Sequence, residues 1–212
     1  MSSLARALFV TLALVAFAAC ASAPPAPVVA RHEATTRYRV GDYVVYRYSG
    51  LFTPEPVLLR ERVAEQRGNR LTIDVVATRG SERRHWQQVV TDTPANERND
   101  VIDELYEYVG SERRKLANVG NADLERLYAW TVLVPDERAR GVHTETAMLA
   151  IGRDELTCER TFGQNRWHGR ALQFESFECP AFLWTHARAR FWDDSTGEEI
   201  LRADVAETGN QP

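Results

Sequence analysis

From Tyr43 to Val205 the chain runs in short stretches that alternate apolar and polar residues with a period of two. Leu71, Ile73, Val75 and Ala77 fall on one side of an extended backbone, and Thr72, Asp74 and Thr78 on the other. Successive side chains on a strand point to opposite faces, so this pattern predicts half-buried strands. Strands are predicted at 43–48, 57–66, 70–78 and 83–92, with turn signals at Gly41-Asp42, Gly68-Asn69 and 79–82. Within 101–117 the pattern fits both a helix and a strand, and Gly110-Ser111, which interrupts it where a hairpin turn would fall, favours two further strands. Asn121 reads as an N-cap, and Leu124, Leu127 and Tyr128 have helical spacing, so one short helix is predicted up to Trp130. An exposed loop is expected at 136–141, then strands at 144–151, 156–162, 170–178, 182–192 and 199–205, with the intervening turn at 163–169 and others at Pro180 and 193–197. About ten short strands and one helix predict a mainly β fold, an antiparallel meander forming a barrel, half-barrel or sandwich. A single domain is expected over 38–207, with a frayed tail at 208–212.

The first residues follow another pattern. Arg6 precedes an apolar run from Ala7 to Ala19. That run is shorter than the roughly 20 residues a spanning helix needs, and it fits a removable export signal. Phe17-Ala18-Ala19-Cys20 closes it. This arrangement resembles the signal of bacterial lipoproteins, with Phe17 standing where that family usually carries leucine. The resemblance implies cleavage after residue 19 and diacylglycerol on the Cys20 thiol, with a further acyl chain such as palmitate on its amine. It implies a membrane partner through those chains, and Ala21 implies the outer membrane, periplasmic face. A plain secreted protein cleaved at Ala19 or Ala21 is the competing expectation. Residues 20–37, with Pro24, Pro25 and Pro27 among small residues, read as a flexible tether.

Composition narrows the partners. The net charge is −4, Lys115 is the only lysine, and acidic residues are interspersed among the arginines. Without a basic tract, no nucleic-acid partner is expected. Cys158 and Cys179 remain in a chain bound for an oxidising compartment and flank a predicted hairpin, so they are expected to pair. A redox or metal pair is the alternative, although neither a C-x-x-C nor a histidine cluster accompanies them.

Candidate chemistry is sparse. If 182–192 is one strand, Phe182, Trp184, His186, Arg188, Arg190 and Trp192 share a bulky, cationic face opposite small residues. One expectation is that the arginines snorkel or stack over the tryptophans above a core packed by the small face. The other makes the bulky face a binding wall for an acyl chain with an anionic head, or for a glycan. His85, His143 and His168 fit no metal-ligand spacing, and G-x-S-x-G and S-x-x-K are absent. The carboxylate neighbours Asp103-Glu104 and Glu198-Glu199 would face opposite sides of a strand. No catalytic residue, metal or cofactor is assigned. The expectation is a non-enzymatic outer-membrane lipoprotein that binds a hydrophobic ligand. Its alternatives are an envelope scaffold docking on a protein and a hydrolase of cell-wall or surface polymers.

Overall fold

In a computed structural model, residues 36–93, 96, 101–116 and 121–211 are described. The signal, Cys20 and the tether up to residue 35 lie outside the described residues. The alternating stretches become β1 (Asp42–Ser49), β2 (Val57–Arg67), β3 (Arg70–Arg79), β4 (Glu82–Thr91), β5 (Glu104–Val109) and β6 (Glu112–Lys115). After α1 (Asn121–Leu127) come β7 (Arg140–Ile151), β8 (Asp154–Trp167), β9 (Arg170–Glu178), β10 (His186–Asp193) and β11 (Glu199–Asn210).

All pair in one 11-stranded antiparallel sheet, in the order β6-β5-β4-β3-β2-β1-β11-β10-β9-β8-β7. Two meanders meet at its centre, where β11 pairs with β1 from Asp42↔Asn210 to Ser49↔Arg202. The sheet stays open and has no second sheet packed on it among the described residues, so of the three expected architectures the half-barrel is the one that corresponds. It is not flat. Leu149 and Ile151 of β7 line one cleft of about 230 Å³ with Arg202 and Val205 of β11. Four strand steps would set those strands about 19 Å apart in a flat sheet.

The core occupies both faces of the sheet. Val44, Leu59, Val75, Trp86 and Leu105 lie on an inner face that register continues through Ala203 and Ala189, while Leu149, Cys158 and Phe177 of the same buried cluster lie on the opposite face. Between the edges β6 and β7 the chain crosses over this inner face. Leu127 packs into the main cluster, Leu133 into a second one with Leu172, Ile200 and Leu201, and the Asp136 amide donates to the Arg166 carbonyl at 2.8 Å. The opposite, outer face holds an ion-pair ladder from Glu145 to Arg160, Glu175, Arg190 and Glu199, one residue from each of β7 to β11.

Several expectations need correction. The predicted strand 182–192 begins only at His186, because Phe182 donates to the Cys179 carbonyl and Thr185 to the Phe182 carbonyl in a tight turn. Thr185 there takes a φ of 62°, outside the strand region. The tail expected to fray at Thr208 is paired to Asn210, and Gly209 lies under the Tyr43 ring where a Cβ would come within 3.2 Å. The tether ends sooner than residue 37, since the Thr36 hydroxyl bonds Asp92 and Arg37 bonds the Thr185 hydroxyl at 2.6 Å. The turn expected at 163–169 shrinks to His168-Gly169 because β8 continues to Trp167. The expected loop at 136–141 gives way to β7 at Arg140. Gly50 explains one feature absent from the pattern. At φ 110° it lets the chain leaving β1 lie against β11, where an added Cβ would sit 2.5 Å from the Ile200 carbonyl oxygen.

Cys158 and Cys179 form the expected disulfide, buried at the ends of the β8–β9 hairpin with a separation of 21 residues. A loop of that length contributes about 3 kcal/mol in the chain-entropy account. The double variant Cys158→Ser/Cys179→Ser should lose about that much in urea denaturation, and reductant should bring the parent to the same midpoint while leaving the variant unchanged.

Candidate functional site

The inner-face alternation of β2 contains one break. Val57, Leu59 and Val63 are buried at 0%, 2% and 0% exposure, and Glu61 occupies the position between the last two. Register sets it opposite Val44 on β1 and Val75 on β3, both fully buried. The transverse row continues through Trp86 to Glu107. A carboxyl therefore sits in the middle of an apolar face, still partly in contact with solvent. No hydrogen bond or ion pair to it occurs among the described residues. Arg60 and Arg62, its neighbours in sequence, project to the outer face and hold Gln211.

Three tyrosines share the surroundings of Glu61. Tyr46 and Tyr48 come from the inner face of β1, and Tyr128 follows α1. The Tyr46 hydroxyl donates to the His186 carbonyl at 3.0 Å, and that of Tyr128 accepts from the Gln88 amide. Burial, and after it the Glu61 charge, holds all three hydroxyls well above the ordinary phenol range. Burial alone pushes the Glu61 carboxyl up, to about 7.

The cover over this region is clamped by arginines. Leu124, Leu127 and Tyr128 form the apolar stripe of α1 and its end. Tyr128 meets Trp86 edge to face at 4.9 Å, while the Trp86 indole N–H beside its hydroxyl stays short of hydrogen-bonding geometry. Trp130 lies between Arg79 and Arg84, at 4.4 and 4.0 Å from its ring. Arg84 also caps the Arg126 carbonyl, and Arg126 grips Glu107 with both of its terminal nitrogens.

The residues singled out on 182–192 are not one wall. Phe182 and Trp184 are buried in the core at 6% and 7% exposure, and Tyr38 packs edge-on against Trp184. His186 is exposed beside Glu178 at 3.7 Å. Arg188 bonds Asp204 at 2.7 Å, and Arg190 bonds Glu175 and Glu199 while lying over Trp192. Their charges are thus already matched by carboxylates on the outer face, which removes the reason to expect an anionic head there. His85 stacks on Tyr108 at 3.9 Å, His143 leans on Phe162, and His168 forms the β8–β9 turn. The structure does not bring His143, His168 and His186 together, and among the described residues no metal-binding group of three His, Cys, Asp or Glu forms. A cleft of about 190 Å³ on the outer face is lined by Arg60, Arg62, Asp74, Val76, Arg83 and His85. Glu61 escaped the sequence reading, although an acidic residue at an inward position of an alternating strand is the signal that marks it.

No protein-family model matches the chain, and no curated protein matches it in sequence. Among solved structures, the lipoprotein LppX of Mycobacterium tuberculosis is 13% identical over 81% of this chain and 86% of its own, with a TM-score of 0.37. A hypothetical protein from Chlamydia trachomatis is 7% identical over 82% and 88%, with a TM-score of 0.42. A Vibrio parahaemolyticus domain named for outer membrane lipoprotein sorting is 7% identical over 83% and 87%, with a TM-score of 0.33. These likenesses are too distant to carry an activity.

The raised Glu61 carboxyl predicts how stability depends on pH. Its ordinary value is 4.5 and its value in the fold about 7. Across that interval the folded chain keeps a proton that the unfolded chain has lost, so stability falls as pH rises and levels off above 7. Glu61→Gln should match the parent at pH 4 and exceed it by about 2–3 kcal/mol at pH 8 in urea denaturation. A gap that does not widen with pH would contradict the assigned burial.

Proposed function

We propose that this chain is a periplasmic lipoprotein, held at the outer membrane through acyl chains on Cys20, whose inner sheet face binds a hydrophobic or amphiphilic ligand without transforming it. The observation that carries the reading is the inner face itself. It is apolar over β1 to β4 and β9 to β11, covered by α1 and the chain crossing after it, and interrupted by a carboxyl that solvent still reaches. An apolar surface with a few placed polar groups is what an amphiphile requires. The buried disulfide supports an oxidising compartment. The signal ending at Cys20 supplies the address, and two or more acyl chains hold stably where one does not.

A second reading keeps the anchor and makes the protein a docking module. It has one specific support: β7 is a 12-residue edge strand with its free edge unpaired among the described residues, and Val142 and Met148 on it are 49% and 54% exposed. Such an edge is a template for an added strand.

Native mass spectrometry of the full chain purified from membranes, followed by organic extraction, separates the two. The carrier reading expects a lipid that copurifies and is displaced by a fluorescent hydrophobic probe. An empty chain that takes up no probe, yet crosslinks in cells to one dominant protein, would replace it with the docking reading. Cys20→Ser should shift the chain from the membrane to the soluble fraction of its host; unchanged partitioning would sink the anchor.

A further inference from the structure

We propose that Glu61 is the polar anchor of the inner face, and that the ligand it selects is an amphiphile bearing a cationic amine rather than a carboxylate. This rests on the carrier reading and adds the class of head group. Aliphatic side chains and tyrosines face the carboxyl. On its own strand the neighbours are Leu59 and Val63, on β1 Val44, Tyr46 and Tyr48, on β3 Val75, and from above Tyr128. The titratable groups among them are three tyrosines, which stay neutral through the physiological range. No arginine, lysine or histidine answers the charge among the described residues, whereas carboxylates of the outer face such as Glu145, Glu175 and Asp204 have arginine partners.

The contrast is informative because arginine is abundant and placed directly beside Glu61 in sequence, at Arg60 and Arg62, but on the other face. A carboxyl left alone in apolar surroundings costs stability, and Glu61 keeps partial contact with solvent. A protonated amine satisfies it with a charge-assisted hydrogen bond while the attached chain lies against the half-buried Tyr48 and Tyr128. A carboxylate head would meet like charge, and an alcohol would gain only a neutral hydrogen bond.

The test uses decylamine, decanol and decanoate as probes, each titrated into the full lipidated chain in phosphatidylcholine nanodiscs, with tryptophan fluorescence as readout. Ionisation of Glu61 favours the amine and opposes the neutral chain, and an alkyl amine stays protonated over this range. Between pH 6 and 8 decylamine affinity should therefore rise roughly tenfold and decanol affinity fall by a similar factor. Decanoate should bind most weakly of the three at pH 8. Glu61→Gln should flatten both trends and abolish the preference of amine over acid, and Glu61→Asp, which keeps the charge, should restore the preference. Decanol binding with no amine preference, or a preference that survives in Glu61→Gln, would overturn this inference and leave the carrier reading standing. Failure of all three probes to bind would instead overturn the carrier reading and this inference with it.

Discussion

The pairing of β1 with β11 is the contact on which the rest of the molecule depends. Each half of the chain is a meander whose hairpins form locally, and either half alone would end in an unpaired strand at what is now the sheet's centre. Their antiparallel union over eight residues of β1, with one irregularity after Val45, turns two meanders into a single sheet. It aligns the apolar faces of β1 to β4 and β9 to β11 on the same side, and a slip of one residue would turn β11 inside out. It also joins residues more than 150 positions apart, the kind of long-range closure that costs most entropy before it is repaid.

Joining the meanders at their first and last strands places β6 and β7, consecutive in the chain, at opposite edges. The connection between them must therefore cross the sheet, and it crosses on the inner side because that is where Leu127, Trp130 and Leu133 find partners. One topological fact thus supplies both the core's cover and the inner face's boundary. The outer face, which also carries buried Cys158 and Phe177, is held in part by charge: Arg160 and Arg190 each bridge two carboxylates around nearly buried Glu175. Isolated surface pairs contribute little, but a network around a buried carboxylate is costly to break.

Against this background Glu61 is an expense the fold could have avoided. Valine or leucine at that position would complete the row from Val44 to Trp86. A fold tolerates such a conflict between local pattern and global packing chiefly where a site is built, since a binding surface needs polar atoms that are not already satisfied within the protein. That consideration links the stability cost at Glu61 to the ligand chemistry of the inner face.

Much of the fold was legible in the alternation. The strands around Ile73, Val89, Tyr106 and Phe174 and the helix around Leu124 arise from period and turn chemistry, which act over a few residues, and the hairpin bridge joining Cys158 to Cys179 follows from their flanking positions. The extent of pairing was not legible. Gly209 and Asn210 carry no strand signal, and they are ordered because β1 offers them a partner far away in sequence. The same holds for the bulky stretch before Trp192, where the turn held by Cys179 and Thr185 sends Phe182 and Trp184 into the core and leaves Arg188 and Arg190 outside. By itself, then, the sequence determined the strands, the helix and the candidate bridge, since these depend on neighbours along the chain. Only the tertiary structure decided which face is inner and that Glu61 lies unpaired upon it, because burial and charge compensation depend on what distant strands bring alongside.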